Sequence, residues 1–178
     1  TYLSKLKDNP DISYVLNADF LNGVKISHRS FGYCFANPPY GEMDNGVRME
    51  QKFVEKLTPY LKAGAPISLV IPYYVLTQEK FLASFFARFE PKMVFRFDDE
   101  VYAAFKQIVI VGTKRKVIGY KRENLRIFAE SIDCIEKLPY LPKEPEEVTD
   151  KVSVVPSSPE NIEYFTTVIF DREEAARH

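Results

Sequence analysis

Tryptophan is absent from this chain, and cysteine, histidine and net charge are scarce. Two cysteines, Cys34 and Cys134, do not make a disulfide framework, so a reducing cytoplasm is the expected compartment. Two histidines, His28 and His178, have no partner at metal-ligand spacing, and no metal site is expected. A net charge of −1 gives no global reason to expect a polyanionic partner. No apolar run approaches the ~18 residues of a membrane helix. The opening, TYLSKLKDNP, has neither Met nor a signal-peptide pattern. There is no internal repeat. What is present, 46% hydrophobic and 28% charged residues in 178, is the composition of an ordinary globular protein with one core and room for an appended subdomain.

The chain alternates between two hydrophobic periods. TYLSKLKDN predicts the last turns of a helix, stopped at Asn9-Pro10. ISYVLNADF is a short β-rich run ending in an acid, and SFGYCFANPPY is an apolar strand that stops at its prolines. Met49, Phe53, Leu57 and Leu61 then recur at helical spacing, with Gly64 as a cap. APISLVIPYYVL is a near-continuous apolar run, as in a strand buried on both faces. TQEKFLASFFARF predicts a helix capped by Thr77, and KMVFRF and QIVIVGTKRK predict two more strands. This alternation implies an α/β fold with a mainly parallel sheet.

Beyond Lys116 the pattern changes. KRKVIGYKRENLR is dense in basic residues, and Lys114, Arg115, Lys116, Lys121 and Arg122 are either phosphate contacts or a solvated surface. A proline-dotted acidic stretch and KVSVVPSSPENIEYFTTVIF follow. The division expected is residues 1–116 as one unit and 117–178 as a β-containing extension. DREEAARH opens a helix on an N-cap aspartate that has no room to continue, which suggests a cut chain.

The prolines after the second apolar run ask for an explanation, since proline is costly in helix interiors and central strands. They form Asn37-Pro38-Pro39-Tyr40, followed by Gly41. From average residue usage this tetrapeptide arises in roughly one chain of this length in a thousand. One reading is a turn that closes a strand. The other is a resemblance: the tetrapeptide, at a strand end and before a helix, resembles motif IV of the S-adenosylmethionine-dependent amino-methyltransferases, above all the DNA adenine-N6 branch. The chemistry suits the residues. An exocyclic amine is a poor nucleophile because its lone pair is delocalised. The site must accept hydrogen bonds from both amine protons and aim the lone pair at a sulfonium methyl. The Asn37 side-chain oxygen and the Pro38 carbonyl are candidate acceptors. Asn37 and Pro38 each precede a proline, which stiffens the loop in an extended form. Tyr40 offers a face for a flipped base, worth ~1–3 kcal/mol.

The resemblance implies further roles. Asp19, in NADFL at the end of the preceding predicted strand, matches the family's acid for the cofactor's adenine amine, with Phe20 next to it, and Asn37 is implied as a further cofactor contact. Alone, Asp19 reads as a turn cap. FRFDDEVYAAFKQIVIVGTKRK resembles the last two strands of the family's Rossmann-like sheet, where Phe105 is a candidate to pack on the target base opposite Tyr40; its alternative is a core phenylalanine. Tyr73 and Tyr74, at a strand's carboxyl end, border a substrate cleft or pack internally. Cys34 reads as a small buried apolar residue.

The departure from the family is at the front. The Gly-x-Gly loop and the ribose-binding acid are not found, before Asp19 or after the tetrapeptide. The expectation is therefore the second half of a catalytic domain, truncated at the N-terminus, whose parent methylates adenine in DNA with S-adenosylmethionine. Enzymes of RNA guanine-N2 or protein glutamine, and a non-catalytic nucleic-acid-binding remnant, are the alternatives. Alone, the chain is expected to be inactive. Its YCFA edge, left unpaired, is expected to take the ISYVL strand or the same edge of a second copy, forming a homodimer.

Overall fold

The computed structural model describes residues 2–43, 45–144 and 152–168. In chain order the elements are α1 (Tyr2–Lys7), β1 (Val24–Ile26), β2 (Cys34–Ala36), α2 (Met49–Leu57), β3 (Pro66–Pro72), α3 (Tyr73–Leu76), α4 (Glu79–Arg88), β4 (Phe89–Arg96), α5 (Asp99–Phe105), β5 (Gln107–Lys114), α6 (Arg122–Ser131) and β6 (Phe165–Thr167). The fold is mixed α/β, as expected.

Strand β3 is where the apolar run predicted a strand, and six of its seven residues are buried. Its alternate residues Ile67, Leu69 and Ile71 join Ile108 and Ile110 of β5 in one core. Helices α2 and α4 supply the other side of it, through Val54, Leu57, Phe81, Phe85 and Phe86. Phe85 stacks on Phe81 at 6.2 Å and on Phe89 at 5.2 Å, so one aromatic column ties α4 to the start of β4. Each such side chain contributes ~1.5–3 kcal/mol by leaving water.

The sheet is not mainly parallel. Its order is β2-β3-β5-β4, with β2–β3 parallel and both β3–β5 and β4–β5 antiparallel. The physical reason lies in the connection. A parallel return needs a long crossover, whereas β4 and β5 are joined through the seven-residue α5, which reverses the chain. Strand β5 then inserts between β3 and β4.

Other expectations need correction. ISYVL forms no strand. β-propensity reflects packing against cross-strand neighbours more than the backbone's own preference, and ISYVL pairs neither with the open edge of β2 nor with the β1–β6 pair. Tyr14 instead rests its ring 5.5 Å from that of Phe165. Thr77 does not cap α4; Gln78 holds that position, and the Thr77 hydroxyl donates to the Tyr74 carbonyl (2.8 Å), closing α3. Gly64 adopts φ +81 in the turn before β3 rather than at a helix end. Within α2 the fully buried stripe is Glu50, Val54 and Leu57, whereas Met49 and Phe53 are half-buried. The extension is β-containing through β6, and RENLRIFAES adds to it the ten-residue helix α6, which the sequence reading did not assign. The segment DREEAARH lies outside the described residues.

Residues 152–168 run back along residues 24–32. The Val155 N–H donates to Gly32 (3.2 Å), Ser158 to Ser30 (3.0 Å), and Lys62 Nζ reaches the Pro156 carbonyl at 2.8 Å. Gly32 is demanded by this approach, since a Cβ there would lie 1.5 Å from the Val155 carbonyl oxygen. Gly32→Ala is expected to cost about 1–3 kcal/mol by overpacking, or roughly 2–12 °C in Tm for a chain of this size. A thermal melt beside the wild type checks it. An unchanged Tm would mean that the strap does not press on Gly32 in solution.

The outer edge of β2 pairs with no strand among the described residues.

Candidate active site

Three strand ends converge around Asn37-Pro38-Pro39-Tyr40. The tetrapeptide follows β2, the Tyr73–Tyr74 pair follows β3, and Gln107 opens β5 opposite Pro72. Because β5 runs antiparallel to β3, its first residue lies at β3's carboxyl end. Helix α5 stops on Lys106 in the left-handed region (φ 53). That turn is held by the Lys106 N–H on the Tyr102 carbonyl (2.8 Å) and by the Tyr73 N–H on the Lys106 carbonyl (2.8 Å).

Asn37 and Pro39 are exposed, Pro38 is buried, and Tyr40 is 36% exposed. The Tyr40 hydroxyl donates to Asn37 Oδ1 at 2.8 Å, and Gln107 Nε2 donates to the Tyr40 oxygen at 2.7 Å. Partial burial raises the Tyr40 phenol above its ordinary value; the Gln107 hydrogen bond opposes that, and the Glu50 charge adds to it. The loop after Gly41 is pinned by the Met49 N–H on the Gly41 carbonyl (2.9 Å). Beneath it, the fully buried Glu50 receives Arg48 Nε at 3.1 Å and Nη2 at 2.5 Å. Arg48 Nη2 also donates to the Tyr74 hydroxyl at 2.8 Å, and its guanidinium lies 5.2 Å from the Tyr74 ring centre. The Glu50 carboxylate beside it raises the Arg48 pKa further above its already high value.

The expected residues divide. Phe105 is 63% exposed, two residues before Gln107, and so is not a core phenylalanine. Phe20 packs its ring 5.0 Å from that of Phe53 and lines an apolar cleft of about 480 Å³ together with Asn37, Pro38, Leu57 and Tyr60. Asp19 is exposed and does not line that cleft. Its Oδ2 receives the Asn22 side chain and its Oδ1 the Leu21 N–H, both at 2.9 Å. These bonds, Asn22 first, hold its pKa below the ordinary carboxylate value. Tyr73 turns its hydroxyl to the Ile132 carbonyl (2.6 Å), a packing role, while Tyr74 stays half-exposed. Cys34 lines the cleft, and burial pushes its thiol up to about 11.

The basic run is only partly occupied, since Lys116, Lys121 and Arg122 are exposed. Lys114 donates to the Leu61 carbonyl, Arg115 Nε to that of Phe86 at 2.8 Å, and Arg122 pairs with Glu79 at 3.7 Å. His28 sits 5.8 Å from the Tyr60 ring, and no group of His, Cys, Asp and Glu among the described residues could hold a metal. His178 lies outside the described residues. No helix among them is long and apolar enough to cross a membrane.

A larger cavity, about 1040 Å³, lies at the far edge of the sheet between β4 and residues 137–143. None of the expected site residues lines it.

Sequence reasoning missed Arg48, Glu50 and Gln107. A carboxylate two residues after an arginine at a helix start was a visible signal for the first two. Gln107 had none, because only the antiparallel insertion of β5 brings it to Tyr40.

A family model described as an uncharacterised methyltransferase family (DUF6094) matches residues 14–149. The chain belongs to this methyltransferase family. No curated protein matches. Among solved structures, the chain is similar to a Listeria monocytogenes protein assigned by its description to the class I S-adenosylmethionine-dependent methyltransferases. The identity is 10% and the TM-score 0.43, over 51% of this chain. This chain spans about a third of that protein's length (34%).

Proposed function

We propose that this methyltransferase-family chain, in its full-length protein, methylates the N6 amine of adenine in DNA, with S-adenosylmethionine as donor. The observation that carries the reading is Asn37: an exposed amide at the end of β2 whose oxygen is turned toward Tyr40 at the mouth of an apolar cleft. The cleft suits part of a nucleoside cofactor. Its volume lies in the range of small-molecule sites, and Phe20, Phe53 and Tyr60 give it aromatic walls. Asp19 stands beside Phe20, and each of its oxygens has a second lone pair to offer an adenine amine. A glycine loop and a ribose acid are not among the described residues, so the fit is to the apolar half of the cofactor. When bound, S-adenosylmethionine supplies an electrophilic methyl on a sulfonium.

The chain's own residues act on the acceptor. Asn37 Oδ1 and the Pro38 carbonyl accept the two N–H bonds of the amine, which pulls its lone pair out of conjugation. The two prolines hold these oxygens in a fixed geometry, and alignment is the larger part of such a rate gain. Tyr40 presents a ring face to the base, and Phe105 closes on it from the opposite side. The internal use of Lys114 and Arg115 takes two of that run's five cations away from a non-catalytic module that grips phosphates with it.

The test is incubation of the full-length protein with labelled donor and DNA, RNA or cell extract. Label in DNA, recovered as N6-methyladenine, is expected. Label only in RNA or only in protein would overturn the DNA assignment and leave guanine N2 or glutamine as the acceptor.

A further inference from the structure

We propose that Gln107 is a positioning residue for Asn37, acting through Tyr40. The inference rests on the methyl-transfer reading of Asn37. A phenol has one proton. Gln107 Nε2 donates to the Tyr40 oxygen at 2.7 Å, so that proton must go elsewhere, and it goes to Asn37 Oδ1 at 2.8 Å. The chain of donors has a direction, from Gln107 through Tyr40 to Asn37, and that direction decides which way the Asn37 amide faces. An amide oxygen has two lone pairs. Tyr40 takes one, and the other is left for an incoming N–H. Reversing the chain makes Tyr40 donate to residue 107 and turns Asn37 Nδ2 toward the phenol. Asn37 would then show a donor where the substrate amine needs an acceptor.

The backbone around Gln107 is built to hold it there. Lys106 spends its left-handed turn (φ 53) to bring residue 107 into register with Pro72, with hydrogen bonds on both sides of the turn. A left-handed non-glycine residue is strained, and such strain persists where the surroundings over-determine it. Removing the Gln107 donor should also move the Tyr40 titration upward, since a hydrogen bond to the phenolate favours the charged form.

The experiment compares Gln107→Leu, which deletes the relay, with Gln107→Glu, which keeps the shape and reverses it, in the full-length protein. Two readouts are taken: kcat and KM with labelled S-adenosylmethionine and plasmid DNA from a methylation-free host, and the Tyr40 titration by carbon-13 tyrosine NMR, assigned with Tyr40→Phe. Gln107→Leu is expected to lower kcat about tenfold, the size of one hydrogen bond, with KM for the donor little changed. Gln107→Glu is expected to lower it further. Tyr40 should titrate higher in the Leu variant, which has lost the hydrogen bond that favours the phenolate, and higher again beside the new carboxylate. A merely structural residue would lower Tm and would not separate Glu from Leu. A Tyr40 titration that stays in place in both variants, or a Glu variant with wild-type kcat, would overturn the proposal. If DNA takes no label even in the wild type, the DNA assignment falls, and the titration still decides the relay by itself.

Discussion

Asn37→Ala lowers kcat for methyl transfer by about 10²–10³, the usual loss when one preorganised polar partner is taken from a developing charge, and it weakens donor binding far less. Asn37 is exposed and its side-chain oxygen is held by the Tyr40 hydroxyl, so its truncation removes little packing. The fold should melt within a degree or two of the wild type. The split between kcat and binding separates this account from one in which Asn37 only closes a turn. In that case stability would fall by ~1 kcal/mol and catalysis would follow only the fraction unfolded. Asn37→Asp is informative beside it, because a carboxylate still accepts two N–H bonds. It should keep far more activity than alanine. Full activity in Asn37→Ala, read by label incorporated into whichever acceptor the full-length protein takes, would sink the assignment of Asn37 as the amine acceptor.

The core elements follow closely from local pattern. Strand β3 is a run of apolar residues long enough for a strand and too short for a core helix, and it could hardly be anything else. Helix α4 has aromatic residues at helical spacing, and its Phe81 and Phe85 are buried as that spacing requires. The failures share a cause. ISYVL has strand composition but pairs with no edge, not even the open one of β2, and the sheet's direction depends on which non-local edges meet. Periodicity reports a residue's face and says nothing about its neighbour across the sheet. The candidate site shows the same division. The Asn-Pro-Pro-Tyr motif is local, and so was visible in the sequence. Its supports at Gln107 and Tyr74 arrive from β5 and α3. Asp19 keeps both of its readings: its own turn takes one lone pair of each carboxylate oxygen, as a turn cap does, and the second lone pairs stay open to the cofactor contact that the resemblance implies.

Arg48→Ala is expected to destabilise the full-length protein by about 3–5 kcal/mol, the cost of leaving a buried carboxylate without its partner. Total stability is only ~5–15 kcal/mol. Glu50 is fully buried in the first turn of α2, and Arg48 meets it with two nitrogens, at 3.1 and 2.5 Å. Such a pair contributes little net stability when intact, because desolvation offsets most of the attraction. Removing one member exposes the whole desolvation cost of the other. Glu50→Gln should therefore cost less than Arg48→Ala, since a neutral amide can stay buried beside the guanidinium. The double variant Arg48→Met with Glu50→Leu should recover most of the loss. Urea midpoints at constant slope measure all three. The consequence for the site comes through Tyr74, which loses the Nη2 hydrogen bond at 2.8 Å. It also comes through the loop that carries Gly41, which is anchored on Met49 next to Arg48. A loss below ~1 kcal/mol in Arg48→Ala would mean that water reaches Glu50, and the pair would then be an ordinary surface ion pair. A loss of the expected size makes it the post on which the Asn37–Tyr40 loop is fixed to α2.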